Sequence, residues 1–277
     1  RIQSFGSLVP SRTPRRPPSV ARFLALLERG LLRKVVERSS AVATVLLPVA
    51  VALSIRLVFW AWPPGDPAGE AIAMPLLGYV AAIWLGVTAS VQSVVGERSH
   101  HRQEKILGVL DVEYALAKAI ALSVALAGQI LVLASILLWR TPLDAGVFLA
   151  GLGAGALAGL VLGLAVSALS PTPEFALRLV PVLMIPQILF SRLTGFPIAD
   201  FTPGFSEDVL SRLAFTPHLE SIFGNPRALD AGFSAIPAGW GGAAGQLAGL
   251  VLFLAGLAFV GLWLLDRRER RVKAPRG

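Results

Sequence analysis

Six long apolar stretches occupy most of this chain, and the basic residues cluster outside them. The stretches run over 41–62, 71–95, 115–139, 145–169, 174–194 and 244–265. A helix of about 20 apolar residues spans the hydrocarbon core of a bilayer. Of the 277 residues, 55% are hydrophobic and only 15% are charged, against roughly 25% charged in soluble domains. The sequence therefore predicts an all-α integral membrane protein with six transmembrane helices.

The positions of Lys and Arg predict how these spans are oriented. About nine basic residues precede residue 40 and about six follow residue 266. Short loops rich in Lys and Arg stay in the cytoplasm, and an even number of spans leaves both termini on one side. We expect cytoplasmic termini and a cytoplasmic loop between spans 2 and 3, in a plasma or inner membrane. The same distribution explains the net charge of +8 without nucleic acid as a partner.

The segments outside the spans divide the chain into four parts. Residues 1–19 are rich in Pro, Ser and Arg, which is typical of a linker or disordered tail. Residues 20–38 combine apolar and basic side chains at helical spacing and predict an amphipathic helix on the membrane surface. Residues 39–266 hold the six spans, and 267–277 form a basic cytosolic tail. The first residue is Arg rather than Met, so we expect either a trimmed chain or a piece of a longer polypeptide.

Four glycines recur at every fourth position of span 4 and therefore share one helix face. They are Gly151, Gly155, Gly159 and Gly163. Small residues at this spacing let a second helix approach closely in a membrane. A phosphate-binding loop would need the pattern GxxxxGK[ST], which the chain lacks. The glycines therefore predict helix packing, and any ATP hydrolysis is expected outside this chain.

The sequence offers little material for a catalytic or metal site. The chain has no cysteine, so a thiolate metal site is excluded. The patterns HExxH and GxSxG are absent, and the adjacent His100 and His101 would diverge by about 100° on a helix. Because no Asp or Glu falls at the centre of a predicted span, a proton- or sodium-coupled carrier is disfavoured. We predict no catalytic residue and no metal.

The loop between spans 2 and 3 carries the densest group of charges. They alternate in sign over about two helical turns and comprise Glu97, Arg98, Arg102, Glu104 and Lys105. A solvated helix end with i,i+4 ion pairs is one interpretation of this pattern. The other is a helix that docks onto a cytosolic partner.

The order of residues around this loop resembles the ABC-2 type permeases, in particular their ABCG-like branch, over about 20–266. In that family a helix of the form ERxxxxRE is followed by Tyr, Lys and an apolar span containing Gln. The matching positions here are Glu97, Arg98, Arg102 (one place early), Glu104, Tyr114, Lys118 and Gln129. Span 5 reads PVLMIPQILFSRLTG, which is similar to the family pattern except that Arg192 replaces the usual Gly.

The resemblance implies a permease that works as a homo- or heterodimer. It would couple ATP hydrolysis, with ATP and Mg²⁺ bound to a fused or separate nucleotide-binding domain, to substrate movement, with export as the family tendency. The loop after span 2 would be the coupling helix, residues 20–38 the connecting helix, and the segment between spans 5 and 6 partly re-entrant on the external side. The alternatives are an ATP-independent channel or secondary carrier and an intramembrane enzyme.

The resemblance also assigns residues to these parts. The connecting helix would act through Phe23, Leu27, Arg29 and Arg33, and the substrate path would include Gln129, Gln187 and Phe190. The expected surroundings are the lipid bilayer, a second copy of the permease and the ATPase.

Overall fold

The structure, a computed structural model, describes residues 20–36, 38–60, 74–98, 109–139 and 145–189. In this part of the chain six α-helices and one short 3₁₀ helix are present, without any strand. The α-helices are α1 (Val20–Val36), α2 (Arg38–Trp60), α3 (Met74–Ser90), α4 (Asp111–Leu137), α5 (Ala145–Leu169) and α6 (Pro173–Leu189), and the 3₁₀ helix is Val95–Glu97. The prediction of an all-α fold is confirmed for these residues.

Within the part of the chain that the structure describes, three helical segments are long and apolar enough to cross a bilayer. They are Met74–Glu97, Glu113–Leu137 and Ala145–Leu169, and they correspond to predicted spans 2, 3 and 4. Span 1 corresponds to α2, whose apolar part Thr44–Trp60 is shorter. Predicted span 6 (244–265), the segment 195–243 and both predicted tails lie outside the described residues.

The observed helix ends differ from the predicted ones where side chains bond the backbone. Helix α4 begins four residues before the predicted start of span 3, because the Glu113 carboxylate accepts a hydrogen bond from the Leu110 N–H at 3.1 Å. This contact satisfies one of the backbone donors left over at a helix start. Helix α1 ends at Val36, two residues before the predicted limit, and Arg38 belongs to α2.

The regular part of α3 ends at Ser90, although the apolar stretch was predicted to continue as a helix to residue 95. Beyond it the chain forms a turn over 91–94 and the 3₁₀ helix. The Ser93 N–H and the Ser93 hydroxyl both donate to the Ser90 carbonyl, at 3.0 and 2.7 Å. A serine that bonds the backbone three residues earlier favours this tighter turn over the α-helix.

Helices α3 and α5 pack through direct contact of their backbones. A Cβ atom built on Gly159 would lie 2.2 Å from the Ile83 carbonyl oxygen, and one on Gly86 would lie 2.1 Å from the Ala156 carbonyl oxygen. Gly163 meets α3 in the same way, near Val87. Only glycine permits this approach, as expected for small residues at a membrane helix interface.

The core also includes the N-terminal ends of α3 and α5. The rings of Tyr79 on α3 and Phe148 on α5 are fully buried, with their centroids 5.5 Å apart in an edge-to-face arrangement. Aromatic pairs prefer this arrangement to a face-to-face sandwich of the two rings.

Large apolar side chains cover the outer surface of α2, α4 and α6. The exposed ones are Val42, Val45, Leu46, Leu53, Leu57, Val58 and Trp60 on α2, Leu116, Ile120, Val124 and Leu131 on α4, and Phe175, Leu177, Val182, Ile185 and Ile188 on α6. Soluble monomers rarely expose continuous apolar surfaces of this extent. The surface is suited to contact with lipid chains.

Candidate functional site

Polar side chains collect where α3 ends, between the start of α4 and the turn that joins α5 to α6. The acidic and basic residues Glu97 and Arg98 directly follow the last apolar residues of this segment. Each of the two contacts a different neighbouring helix. Both were predicted to belong to the coupling helix, and in the structure their side chains bond within the chain and are partly buried.

Glu97 joins the end of α3 to α4. Its carboxylate forms an ion pair with the Lys118 ammonium and accepts a hydrogen bond from the Tyr114 hydroxyl at 3.3 Å. Tyr114 and Lys118 are four residues apart and therefore lie on the same face of α4, and the Lys118 ammonium lies 5.9 Å from the Tyr114 ring centroid, within the range of a cation–π contact. The Lys118 and Glu97 side chains are only 15% and 19% exposed, so water screens this pair less than a surface pair.

Arg98 joins the end of α3 to the end of α5. Its guanidinium donates to the Pro171 carbonyl at 3.1 Å, to the Ala168 carbonyl at 3.1 Å and to the Ser170 carbonyl. The last carbonyl groups of a helix have no partner within that helix, and a positive charge there interacts favourably with the helix dipole. Arg98, which directly follows the 3₁₀ helix, therefore caps α5.

Ser167 makes a second connection between the same two helices. Its hydroxyl oxygen accepts hydrogen bonds from the backbone N–H groups of Val94 and Val95, each at 3.0 Å. These donors lie in the turn and the 3₁₀ segment that follow the regular part of α3. The side chain of Ser167 is completely buried, so it supplies acceptors where water is excluded. Ser167 was not predicted as a site residue, although a hydroxyl in an otherwise apolar helix is a sequence signal for such a contact.

A cavity of about 380 Å³ lies beside this group, between α1, the end of α3 and the start of α4. Glu97, Tyr114 and Lys118 line one part of it, together with Arg29 from α1. Helix α1 approaches α4 closely here. A Cβ atom built on Gly30 would lie only 3.1 Å from the Ala121 Cβ.

The connecting-helix residues fall on different sides of α1. Phe23 and Leu27 are half-buried, whereas Arg29 is exposed at the cavity. The side chain of Arg33 lies outside the described residues, as do Arg102, Glu104 and Lys105 of the predicted coupling helix.

The residues predicted for the substrate path are placed on two helices. The Gln129 amide on α4 donates to the Thr44 carbonyl on α2 at 3.1 Å and is buried. Gln187 is half-buried on α6, and Phe190 lies outside the described residues. Among the residues with described positions, no group of three or more acidic or histidine side chains could hold a metal.

The glycines of span 4 lie together on α5. Gly151, Gly155, Gly159 and Gly163 are all buried, and the last two are in contact with the α3 backbone or the Ser90 side chain. Gly153, on another face, has no neighbour within 4 Å of a built Cβ.

Three features together define a multi-pass membrane protein. Apolar helices could span a bilayer, the outer surfaces are compatible with lipid, and polar contacts lie at one end of the bundle. A scan against protein-family models matches residues 21–203 to the ABC-2 type transporter family. Because the match covers more than half of the chain, the protein belongs to the ABC-2 type transporter family and is the permease component of an ABC transporter. Permease domains of this kind typically pair with an ATPase. A search of curated proteins finds no match to the chain.

Proposed function

We propose that this permease belongs to the ABCG-like branch, crosses the membrane six times with both termini cytoplasmic, and couples ATP hydrolysis by a nucleotide-binding domain to substrate export. The observation that carries the proposal is the position of Glu97 and Arg98. They stand directly before the loop 99–108 and bond to two different helices. A force applied to that loop therefore has two routes into the membrane domain.

The first route runs from Glu97 to α4. Removing one member of a largely buried ion pair leaves the other charge poorly solvated, which costs more than breaking a surface pair. Lys118 and Tyr114 therefore follow Glu97 when the end of α3 moves. The second route runs through Arg98 and Ser167 to the end of α5 and the turn before α6. Closure of the ATPase on ATP would move both groups of helices together.

The remaining charged residues of the loop are proposed to contact the ATPase. Arg102, Glu104 and Lys105 lie outside the described residues, and we assign them to the surface that meets the ATPase. Residues 20–38 would lie beside the loop as the connecting helix, and the cavity contacts of Arg29 support that placement. Residues 1–19 would be a linker, 39–266 the membrane domain of a homo- or heterodimer, with a partly re-entrant external segment between spans 5 and 6, and 267–277 a cytosolic tail.

The orientation can be tested directly because the chain has no cysteine. A cysteine at His100→Cys should resist a membrane-impermeant maleimide in intact cells and react after permeabilisation. A cysteine at Asp66→Cys, in the turn between spans 1 and 2, should react in intact cells. Labelling of residue 100 from outside would overturn both the topology and the coupling role.

Coupling can be tested in the complex of the chain with the ATPase that copurifies with it. The double reversal Arg102→Glu with Lys105→Glu should lower permease-dependent ATPase activity about tenfold or more, because like charges facing each other cost several kcal/mol. The matched reversal Arg140→Glu, in the turn between spans 3 and 4, should leave this activity unchanged. Equal activity of the double variant and the wild type would exclude the docking role, and transport without any ATPase would favour a channel or carrier.

A further inference from the structure

The cavity beside Glu97 is lined by groups of two chemical kinds. Arg29 and Lys118 contribute positively charged donors, whereas Leu26 and Leu122 contribute apolar surface. Its volume of about 380 Å³ is within the roughly 300–1,000 Å³ that small-molecule sites occupy. It is therefore large enough for a polar headgroup with the first part of an attached apolar chain.

The charges at the cavity favour an anion. Arg29 and Lys118 provide two positive charges, and Glu97 provides one negative charge. The Glu97 carboxylate already bonds Lys118 and Tyr114, so a second cation would find its acceptor engaged. An ammonium has three donors and a guanidinium has five, and guanidinium groups match the geometry of phosphate oxygens. A phosphate group is the ligand that these side chains suit.

The position of the cavity favours a lipid over a free phosphate. Helix α1 exposes large apolar side chains, including Val20, Leu24 and Leu32, as a helix does when it lies at the boundary between headgroups and acyl chains. In the topology proposed above, this boundary belongs to the cytoplasmic leaflet, where anionic lipids attract basic residues. The apolar wall of Leu26 and Leu122 would contribute nothing to binding an inorganic phosphate.

We propose that this cavity binds the phosphate headgroup of an anionic phospholipid, with Arg29 and Lys118 as its contacts and Leu26 and Leu122 against the start of its acyl chains. The lipid phosphate competes with Glu97 for Lys118. Binding therefore weakens the bond between the end of α3 and α4, and the lipid tunes the first of the two coupling routes. The cytoplasmic leaflet and this last effect rest on the proposed function, whereas the binding itself is argued from the lining of the cavity.

The test is a titration of the delipidated full chain in neutral detergent with phosphatidylglycerol, phosphatidylcholine or glycerol phosphate, followed by native mass spectrometry. Phosphatidylglycerol should bind at least fivefold more tightly than phosphatidylcholine, since one basic residue near a lipid surface contributes about 1 kcal/mol. Arg29→Gln should remove most of this preference. Arg178→Gln, at an exposed position of α6, is the matched control and should retain it.

A second variant fills the cavity without changing any charge. Ala89→Phe, at a half-buried position of the lining, should lower phosphatidylglycerol binding about fivefold or more, and thermal denaturation would verify that the variant is folded. Wild-type binding by folded Ala89→Phe would overturn the site. If Arg29→Gln and Arg178→Gln lost the preference for phosphatidylglycerol equally, the preference would come from unspecific charge and not from this cavity. Competition by glycerol phosphate at equal affinity would exclude a lipid as the ligand. Because no ATPase is present, failure here leaves the coupling proposal intact.

Discussion

Helix α3 meets α5 in two different ways along its length. In the middle, Gly86 on α3 and Gly159 on α5 bring the backbones together, and the contact contains no charged group. At the end, the guanidinium of Arg98 and the hydroxyl of Ser167 add hydrogen bonds between the two segments. Lipid supplies no hydrophobic force between helices, so dense packing of small residues replaces it. The middle therefore fixes the distance between the helices, and the end holds Arg98 and the 3₁₀ segment against α5.

The largest loss of stability is expected when a methyl group is added at the middle of the contact between α3 and α5. Gly159→Ala would place its Cβ 2.2 Å from the Ile83 carbonyl oxygen, and the backbones must separate. We expect a loss of about 3 kcal/mol of stability, at the upper end of the usual cost of overpacking, measured by thermal or denaturant unfolding in one detergent.

The matched control is Gly153→Ala on the same helix. No atom lies within 4 Å of its built Cβ, and alanine is favoured over glycine in a helix interior by roughly 0.5–1 kcal/mol. Stability should stay the same or rise. Equal losses in the two variants would show that close approach is not what α5 requires of its glycines.

An intermediate effect is expected at the end of α3. Arg98→Lys keeps the charge but cannot reach the carbonyl groups of Ala168 and Pro171 together, because an ammonium is a compact donor without the guanidinium fork. We expect a loss of about 2 kcal/mol, close to the value of one hydrogen bond to a charged group, and weaker coupling to the ATPase. Arg178→Lys, on the exposed face of α6, should behave like the wild type. An unchanged Arg98→Lys variant would mean that charge alone caps α5.

The smallest effect is expected at Ser167. Ser167→Ala removes the oxygen that accepts from the Val94 and Val95 N–H groups at 3.0 Å. We expect a loss of about 1 kcal/mol, the lower limit for buried donors left without a partner, together with faster hydrogen exchange at these two amides. Ser135→Ala, on an exposed part of α4, should change neither. Unaltered exchange at Val94 and Val95 would contradict the role given to Ser167.

The sequence predicted the parts of the fold that depend on one helix at a time. The limits of α5 agree with the predicted span 145–169, because hydropathy and short polar turns define both ends. The four-residue spacing of glycines gave the face of α5 that is buried, since helical periodicity alone determines which residues share a face.

Contacts between helices could not be predicted in this way. Nothing in the spacing of Ser167 indicates that its partners are backbone groups more than 70 residues away. A charge pattern such as that of Glu97 and Arg98 likewise indicates a polar helix end but does not identify the partners within the chain, Lys118 and the Ala168 carbonyl. The start of α4 was placed too late because hydropathy does not register the bond from Glu113 to the backbone.

The contact at Gly86 and Gly159 also determines the register of the two helices. At each glycine, the hydrogen that replaces Cβ points at a carbonyl oxygen of the opposite helix, Ala156 for one and Ile83 for the other. Such Cα–H···O contacts are worth about 0.5–1 kcal/mol each. If either helix changed register by one residue, a residue with a side chain would take the place of the glycine opposite each carbonyl oxygen. We therefore expect α3 and α5 to resist sliding past each other and to move together as one rigid unit.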